Sequence, residues 1–388
     1  MSIGDVYNLK LESIAQGGEA FGRLDGKTVF VQGGAPDETV CCRITEDRKT
    51  WARAELLDII EVSAMRTKSA CTFYGKCGGC NLQHIEYSAQ LEIKTSILKE
   101  SILRIGGFCP PQPEVFPCSP REYRNRMQFH CLRQLAADED ALKFGLKGRR
   151  STEIIAVREC PVAEKGIGEL LRTGGKDFPL PPEKDRFTVF SYNGLLLSEG
   201  GTEKGKISLF NKDIVLSAGL FFQSNVTMLE KMVNYLREIT VNADNNAPMA
   251  DLYCGVGTFA VFLGDLFKKI VLMEENKRAV SLARENLRSA NAEFFALRDT
   301  EWAKSFPRQK ESFGFAVADP PRSGLSHALA SALAQNGPPV FAYVSCDAAS
   351  LARDSKILTN GGYKMKNLAL FDFYPQTAHI ESLAVFIK

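Results

Sequence analysis

Met249-Ala250-Asp251-Leu252-Tyr253-Cys254-Gly255-Val256-Gly257-Thr258-Phe259 is the stretch on which the fold turns. An apolar, β-favouring run gives way to a glycine turn and, from Thr258, to helix-forming residues. In a parallel α/β sheet this order puts Gly255 and Gly257 where backbone must come close to a ligand, with a helix N-terminus aimed at it. The third glycine of the dinucleotide fingerprint is missing, because Phe259 and Ala260 continue straight into helix. That argues against a bound pyrophosphate and for S-adenosylmethionine.

Downstream the alternation of strand and helix continues, as a Rossmann-like α/β domain requires. Ile270-Val271-Leu272-Met273 ends at Glu274, placed to accept hydrogen bonds from two ribose hydroxyls. Phe294-Phe295-Ala296-Leu297 leads to Asp299, within reach of an adenine amine. Phe315-Ala316-Val317-Ala318 delivers Asp319 to the sheet edge, and Pro320-Pro321 fix the loop after it. Val340 to Val344 forms another strand that stops at Ser345-Cys346-Asp347, with a helix opening at Ala348. Cys346 is thus expected at a carboxyl strand edge beside a helix N-terminus, which favours a thiolate. Upstream, Ser224 or Asn225 caps a helix whose apolar stripe is Met228, Leu229, Met232, Val233 and Leu236.

The first sixty residues read differently. Five short β-like runs, at Val6–Leu9, Ala20–Leu24, Thr28–Val31, Thr39–Ile44 and Trp51–Leu56, are separated by Gly17-Gly18, Asp25-Gly26 and Gly33-Gly34-Ala35-Pro36. They predict a closed antiparallel barrel of the OB type, a fold suited to single-stranded nucleic acid. Through Gly22-Arg23-Leu24-Asp25-Gly26-Lys27-Thr28-Val29-Phe30-Val31 the stretch resembles the RNA-binding TRAM domain.

Cys71, Cys77 and Cys80 fall within one glycine-containing loop that could wrap a metal centre. Cys160, followed by Pro161, is the best fourth thiolate, with Cys109, Cys118 and Cys131 competing. Zinc pairs usually have about two to four intervening residues, whereas the first gap here is five, so the spacing leans towards an iron-sulfur cluster. A helix is expected from Tyr87 to Ile105, ended by Gly106-Gly107, and Pro110 to Pro120 mark a linker. In Arg121-Glu122-Tyr123-Arg124-Asn125-Arg126-Met127-Gln128-Phe129-His130, basic, amide and aromatic side chains alternate, so Arg121, Arg124 and Arg126 are candidate RNA contacts. Lys143, Lys147, Arg149 and Arg150 add positive charge, Asp138-Glu139-Asp140 reads as an exposed turn, and Gly166 to Gly205 reads as loop.

The 388-residue chain has ordinary globular composition, with 45% hydrophobic and 24% charged residues. A net charge of +2 excludes an indiscriminate polycation, so nucleic-acid contact must come from local patches. No apolar run reaches the roughly 18 residues of a membrane span, and the eleven cysteines suit no disulfide framework. A cytoplasmic protein is expected.

Taken in order, Phe221-Phe222-Gln223, the Asp251 to Phe259 loop, Asp319-Pro320-Pro321-Arg322-Ser323-Gly324, Tyr343-Val344-Ser345-Cys346 and Pro375-Gln376-Thr377-Ala378-His379-Ile380-Glu381 resemble the successive motifs of the RNA uracil-5 methyltransferases. The resemblance implies three parts: a TRAM-like barrel over 1–62, a central α+β iron-sulfur and RNA-binding domain over 63–212, part of whose 85–120 region packs with the catalytic domain, and a methyltransferase domain over 213–388. It makes Cys346 the nucleophile and Glu381 the general base, with His379 orienting nearby. It assigns Gln223, Tyr253, Thr258, Glu274, Asp299 and Asp319 to S-adenosylmethionine, and Cys71, Cys77, Cys80 and Cys160 to a 4Fe-4S cluster. It points to a monomer acting on a uridine of 23S ribosomal RNA, with transfer RNA as the alternative substrate and a binding protein of degenerate fold as the alternative class. One departure stands out: Asp347-Ala348 follow the cysteine where the family usually has Asn-Pro. A carboxylate there is expected to disfavour the thiolate.

Overall fold

The computed structural model describes all residues except 133–142, 177, 182, 242 and 306–311; Asp138-Glu139-Asp140 therefore lie outside the described residues. An eight-stranded sheet carries the C-terminal half, in the order Ala292–Phe295, Ile270–Met273, Met249–Leu252, Phe315–Ala318, Val340–Ser345, Ser382–Ile387, Lys364–Phe371 and Glu114–Phe116. The first five strands run parallel, and Ser382–Ile387 is antiparallel to both its neighbours. The four central strands Ile270–Met273, Met249–Leu252, Phe315–Ala318 and Val340–Ser345 are buried at every position because helices cover both faces, which gives two separate cores. Strand order reverses between Met249–Leu252 and Phe315–Ala318. At such a switch point, beyond the carboxyl strand ends, open α/β sheets bind ligands.

Asn225 is the cap of the helix Val226–Thr240, its side chain accepting from the Met228 amide at 3.1 Å. The helix Tyr87–Ser101 continues into a π-helical turn, Ile102–Gly106, and ends at Gly107 with φ 79°. Its Leu98 and Ile102 pack in the same core as Leu351 and Ala352, on the helix Ala348–Asn360. With the edge strand Glu114–Phe116, this part of the chain is built into the C-terminal layer.

The N-terminal sheet has six strands, ordered Val6–Lys10, Thr39–Asp47, Trp51–Glu61, Lys27–Val31, Ala20–Leu24 and Ser13–Ile14. Two features differ from the expected antiparallel five. Ser13–Ile14 is too short to show a period, and Lys27–Val31 pairs in parallel with Trp51–Glu61. Val29, Val31, Val40, Ile44, Ala52 and Ala54 fill the interior. At Gly22 a Cβ would lie 2.2 Å from the Lys10 carbonyl oxygen, so only glycine lets these strands approach.

A further sheet has five strands, Ile154–Ile155, Phe144–Lys147, Arg126–Cys131, Arg186–Tyr192 and Leu195–Ser198. The expectation of loop from Gly166 to Gly205 is corrected here: Lys165–Arg172 is a helix, and two strands follow before Gly205. Glycine misled the reading because Gly166 is a packing residue, where a Cβ would stand 2.2 Å from Ser191 Oγ. No helix among the described residues is long and apolar enough to cross a membrane.

Candidate active site

A cavity of about 980 Å³ opens at the switch point, lined by residues from almost every segment singled out in the sequence. Tyr253 and Gly255 line it from the Met249–Leu252 turn, Glu274 and Asp299 from the next two strand ends, and Asp319, Cys346 and Glu381 from the other side. Gln223 and Thr258 also face it, whereas Gly257 caps the Thr258–Leu263 helix behind the wall.

The turn needs its glycines. Tyr253, Gly255 and Gly257 all have positive φ, at 60°, 55° and 84°. A Cβ at Gly255 would point into open space, so the bare backbone leaves room for a ligand. Tyr253 tolerates the left-handed conformation with its hydroxyl tied to Asp299 Oδ2 at 2.6 Å. Asp299 also accepts from the Ser326 amide at 2.9 Å. Glu274 accepts from the Gly255 amide at 3.1 Å and the Asn276 amide at 2.8 Å. Bare backbone, a carboxylate at a strand end and a second carboxylate beyond it suit the amino, ribose and adenine groups of S-adenosylmethionine.

The opposite side of the cavity concentrates titratable groups. Asp319 accepts from the Gln223 side-chain amide at 3.0 Å, yet burial pushes its carboxyl up to about 7. Glu381 is buried, and burial together with Asp319 holds its carboxyl well above the usual range, opposed by Arg322. Burial first, then Glu381 and Asp319, push the Cys346 thiol up to about 12, against Arg322. Low dielectric and two carboxyl groups thus oppose the thiolate that this helix end is expected to favour.

Asp347 directly follows Cys346. It caps the helix Ala348–Asn360, one oxygen accepting from the Ser350 amide at 2.8 Å and the other from the Gln16 side chain at 2.7 Å. Both of its oxygens are thus engaged away from the thiol, one by a helix N-terminus and one by a side-chain donor.

Two groups of this site, Arg322 and Tyr374, and one buried carboxyl outside its lining, Asp251, carry no assignment from the sequence. Arg322 is a cation that favours the charged forms of both Cys346 and Glu381; it was legible only as part of the Asp319 motif. Its guanidinium meets His379 Nδ1 at 2.9 Å, and burial and Arg322 lower His379 to about 4, so the imidazole is neutral and accepts this bond. Tyr374 packs edge-on against His379 in the wall, with nothing in the sequence to separate it from a core aromatic. Asp251, at the end of an apolar strand, is buried, with one oxygen accepting from the Ala260 amide at 2.9 Å and the other unpartnered.

Arg124 and Arg126 line the mouth, where the Arg126 guanidinium lies 5.7 Å from the ring centre of the exposed Phe221. Arg121 is exposed and lies outside the cavity. Arg124 also borders a second groove with His130, Lys147, Arg149 and Arg150.

Cys71, Cys77, Cys80 and Cys160 come together near this groove, each interacting electrostatically with at least one other. Backbone amides approach the sulfurs, Gly79 reaching Cys77 Sγ at 3.4 Å. Among the described residues no group of three or more His, Cys, Asp or Glu is disposed to hold a single metal ion. Cys109, Cys118 and Cys131 form no disulfide, Cys118 lying beside the Asn225 amide and Cys131 donating to the Lys184 carbonyl at 3.3 Å.

Residues 211–388 match the family model described as tRNA (Uracil-5-)-methyltransferase, and residues 2–57 match the TRAM domain. An RNA methyltransferase of unassigned specificity from Treponema denticola is 32% identical, over 94% of each chain. The chain belongs to the RNA uracil-5 methyltransferase family. A Pseudomonas putida member named 23S rRNA (uracil(1939)-C(5))-methyltransferase is 29% identical, over 99% of this chain and 94% of its own. In fold the enzyme is similar to the Pyrococcus abyssi tRNA (uracil-54, C5)-methyltransferase, with TM-score 0.75, 23% identity, and 98% and 100% of the two chains covered. The barrel is thus a TRAM domain, and the C-terminal half is an S-adenosylmethionine-dependent methyltransferase acting on RNA.

Proposed function

We propose that the enzyme methylates C5 of a uridine in 23S ribosomal RNA through a covalent bond between Cys346 and C6. The observation that carries the chemistry is the convergence of Cys346, Asp319 and Glu381 on one cavity. Uracil C5 is a weak nucleophile, and adding sulfur to C6 moves electron density onto it. Cys346 gives up its proton to solvent water, with Arg322 as the cation that favours the charged form, and as the sulfur adds its negative charge passes to the uracil ring as an enolate. When bound, S-adenosylmethionine would supply the electrophilic methyl carbon, which C5 takes up as the methyl–sulfonium bond breaks and S-adenosylhomocysteine is left. Glu381 then removes the C5 proton, the C6–S bond breaks, and its electrons return to sulfur. A carboxylate held in so apolar a place is a stronger base for a carbon acid than one in water.

Gln223, Tyr253, Thr258, Glu274, Asp299 and Asp319 are the S-adenosylmethionine contacts in this reading, and Asp319 stands where it can also meet the uracil. The target nucleotide must leave its stack to reach the cavity, and Phe221 and Arg126 at the mouth offer a stacking surface. Arg124, shared with the groove of Lys147, Arg149 and Arg150, marks the path of the flanking strand. The preference for 23S over transfer RNA rests on the nearly full-length similarity to the Pseudomonas protein. The four thiols are assigned to a 4Fe-4S cluster, whose several iron atoms suit ligands too spread for one ion. Residues 63–212, apart from the helix and edge strand built into the C-terminal layer, then form the cluster and RNA-binding domain, and the cluster shapes the RNA surface. Anaerobically prepared protein should contain iron and labile sulfide that Cys160→Ala loses.

The function is tested by offering unmodified ribosomal and transfer RNA transcripts separately with labelled S-adenosylmethionine and analysing the nucleosides. Label in 5-methyluridine from the ribosomal transcript is expected. Label only from the transfer RNA, or in 5-methylcytidine, would contradict it.

A further inference from the structure

The N-terminal barrel reaches the catalytic loops by its Gln16-Gly17-Gly18 turn. Gln16 Nε2 donates to Asp347 Oδ2 at 2.7 Å, across 331 positions of sequence. Asp347 directly follows Cys346, and its other carboxylate oxygen caps the next helix. On the upstream side, the Ser345 carbonyl accepts from Ser382 Oγ at 3.2 Å. The backbone around Cys346 is therefore held by the sheet on one side, and by a helix cap and the barrel on the other.

The same turn also grips the segment that leads to Glu381. Asn81 Nδ2 donates to the Gly17 carbonyl at 3.0 Å, while Asn81 Oδ1 accepts from the Ala378 amide at 2.8 Å. Gly18, with φ +82°, is packed so closely that a Cβ would stand 2.3 Å from Asn81 Nδ2 and 3.0 Å from the Ala378 Cβ. The turn is closed on itself by the Gly18 amide donating to Ala15 O and the Ala15 amide donating to Glu19 O, both at 2.8 Å. A side chain carried on so fixed a turn holds its partner in place, whereas one on a loose loop would follow it.

We infer that Gln16 is a positioning residue for methyl transfer, through which the barrel fixes the Cys346 loop relative to the Glu381 segment. The barrel then acts on the rate of reaction of bound RNA as well as on binding. The inference rests on the reading of Cys346 as nucleophile.

The decisive variants are Gln16→Glu, which turns the donor into an acceptor facing a carboxylate, and Gln16→Glu with Asp347→Asn, which exchanges donor and acceptor. In the double variant the side-chain oxygen at position 347 can still cap the helix, because asparagine caps as well as aspartate. With full-length protein and an unmodified 23S transcript, single-turnover methylation at saturating RNA should fall about 5- to 10-fold in Gln16→Glu, the effect of one lost hydrogen bond. RNA affinity by filter binding should stay within about 2-fold, and the double variant should recover most of the rate, as expected of a coupled pair. Amide hydrogen exchange without RNA should rise over residues 345–350 in Gln16→Glu and return in the double variant. An unchanged rate, a loss matched by weaker RNA binding, or no recovery would each overturn the inference. If Cys346→Ser methylated at the wild-type rate, the nucleophile assignment would fail instead, and the exchange data would still decide whether the brace exists.

Discussion

Lys94 Nζ and Asp372 Oδ1 meet at 2.6 Å with neither side chain exposed to solvent. Lys94 also donates to the Tyr374 carbonyl at 3.0 Å, and the Tyr87 hydroxyl donates to Asp372 at 2.9 Å. The helix Tyr87–Ser101 thereby anchors the start of the segment that carries Tyr374, His379 and Glu381. Removing one member of a buried pair strands a charge in low dielectric, so Lys94→Met should destabilise by about 3–5 kcal/mol. Replacing both, with Lys94→Met and Asp372→Leu, should recover most of that. Urea unfolding of the three proteins measures it.

Asp251 gives a stability effect with a defined sign. Burial raises its carboxyl to about 8, against an ordinary value of 3.8. A group raised in the folded state contributes stability that is fully present below the unfolded value and lost as pH rises through the folded one. Asp251→Asn keeps the acceptor for the Ala260 amide and cannot ionise. Its stability relative to wild type should therefore grow from about pH 4 to about pH 8, by up to about 1.4 kcal/mol per pH unit. Urea midpoints across that range test this, and a constant difference would contradict it.

Cys346 should behave as a hindered thiol in the free enzyme. With its thiol pushed up to about 12, the thiolate fraction grows about tenfold per pH unit throughout the working range. Iodoacetamide inactivation should rise accordingly from pH 7 to 10 with no plateau. Arg322→Gln removes the cation that opposes this shift and should slow the reaction at every pH. A plateau near pH 8 would mean that the helix terminus outweighs the carboxyl groups.

The apolar strands and their punctuation were legible in the sequence because parallel strands covered on both faces carry continuous apolar runs, and their ends fell at Glu274, Asp319 and Cys346. Side chains whose role depends on a distant partner were not legible. Lys94 lies on a helix with an ordinary polar face, and its partner is 278 positions away. Gln16 sits in a polar turn, and only the docking of the barrel gives it Asp347. Arg322 was written in the motif, but its reach to His379 and Glu381 exists only once the last segment folds over the sheet edge. Gly166 shows the opposite error, since a residue read as loop punctuation serves close packing.

The covalent step is tested most directly with RNA carrying 5-fluorouridine. Fluorine at C5 cannot leave as a proton, so the reaction stops after methyl transfer with sulfur still bound to C6. The wild-type enzyme, given S-adenosylmethionine and a fluorinated 23S transcript, should form a denaturation-resistant protein–RNA adduct mapping to Cys346. Glu381→Gln should also form it, because the base acts afterwards, and Cys346→Ser should form none. An adduct that persists in Cys346→Ser, or none with wild type on any ribosomal or transfer RNA fragment, would contradict the account.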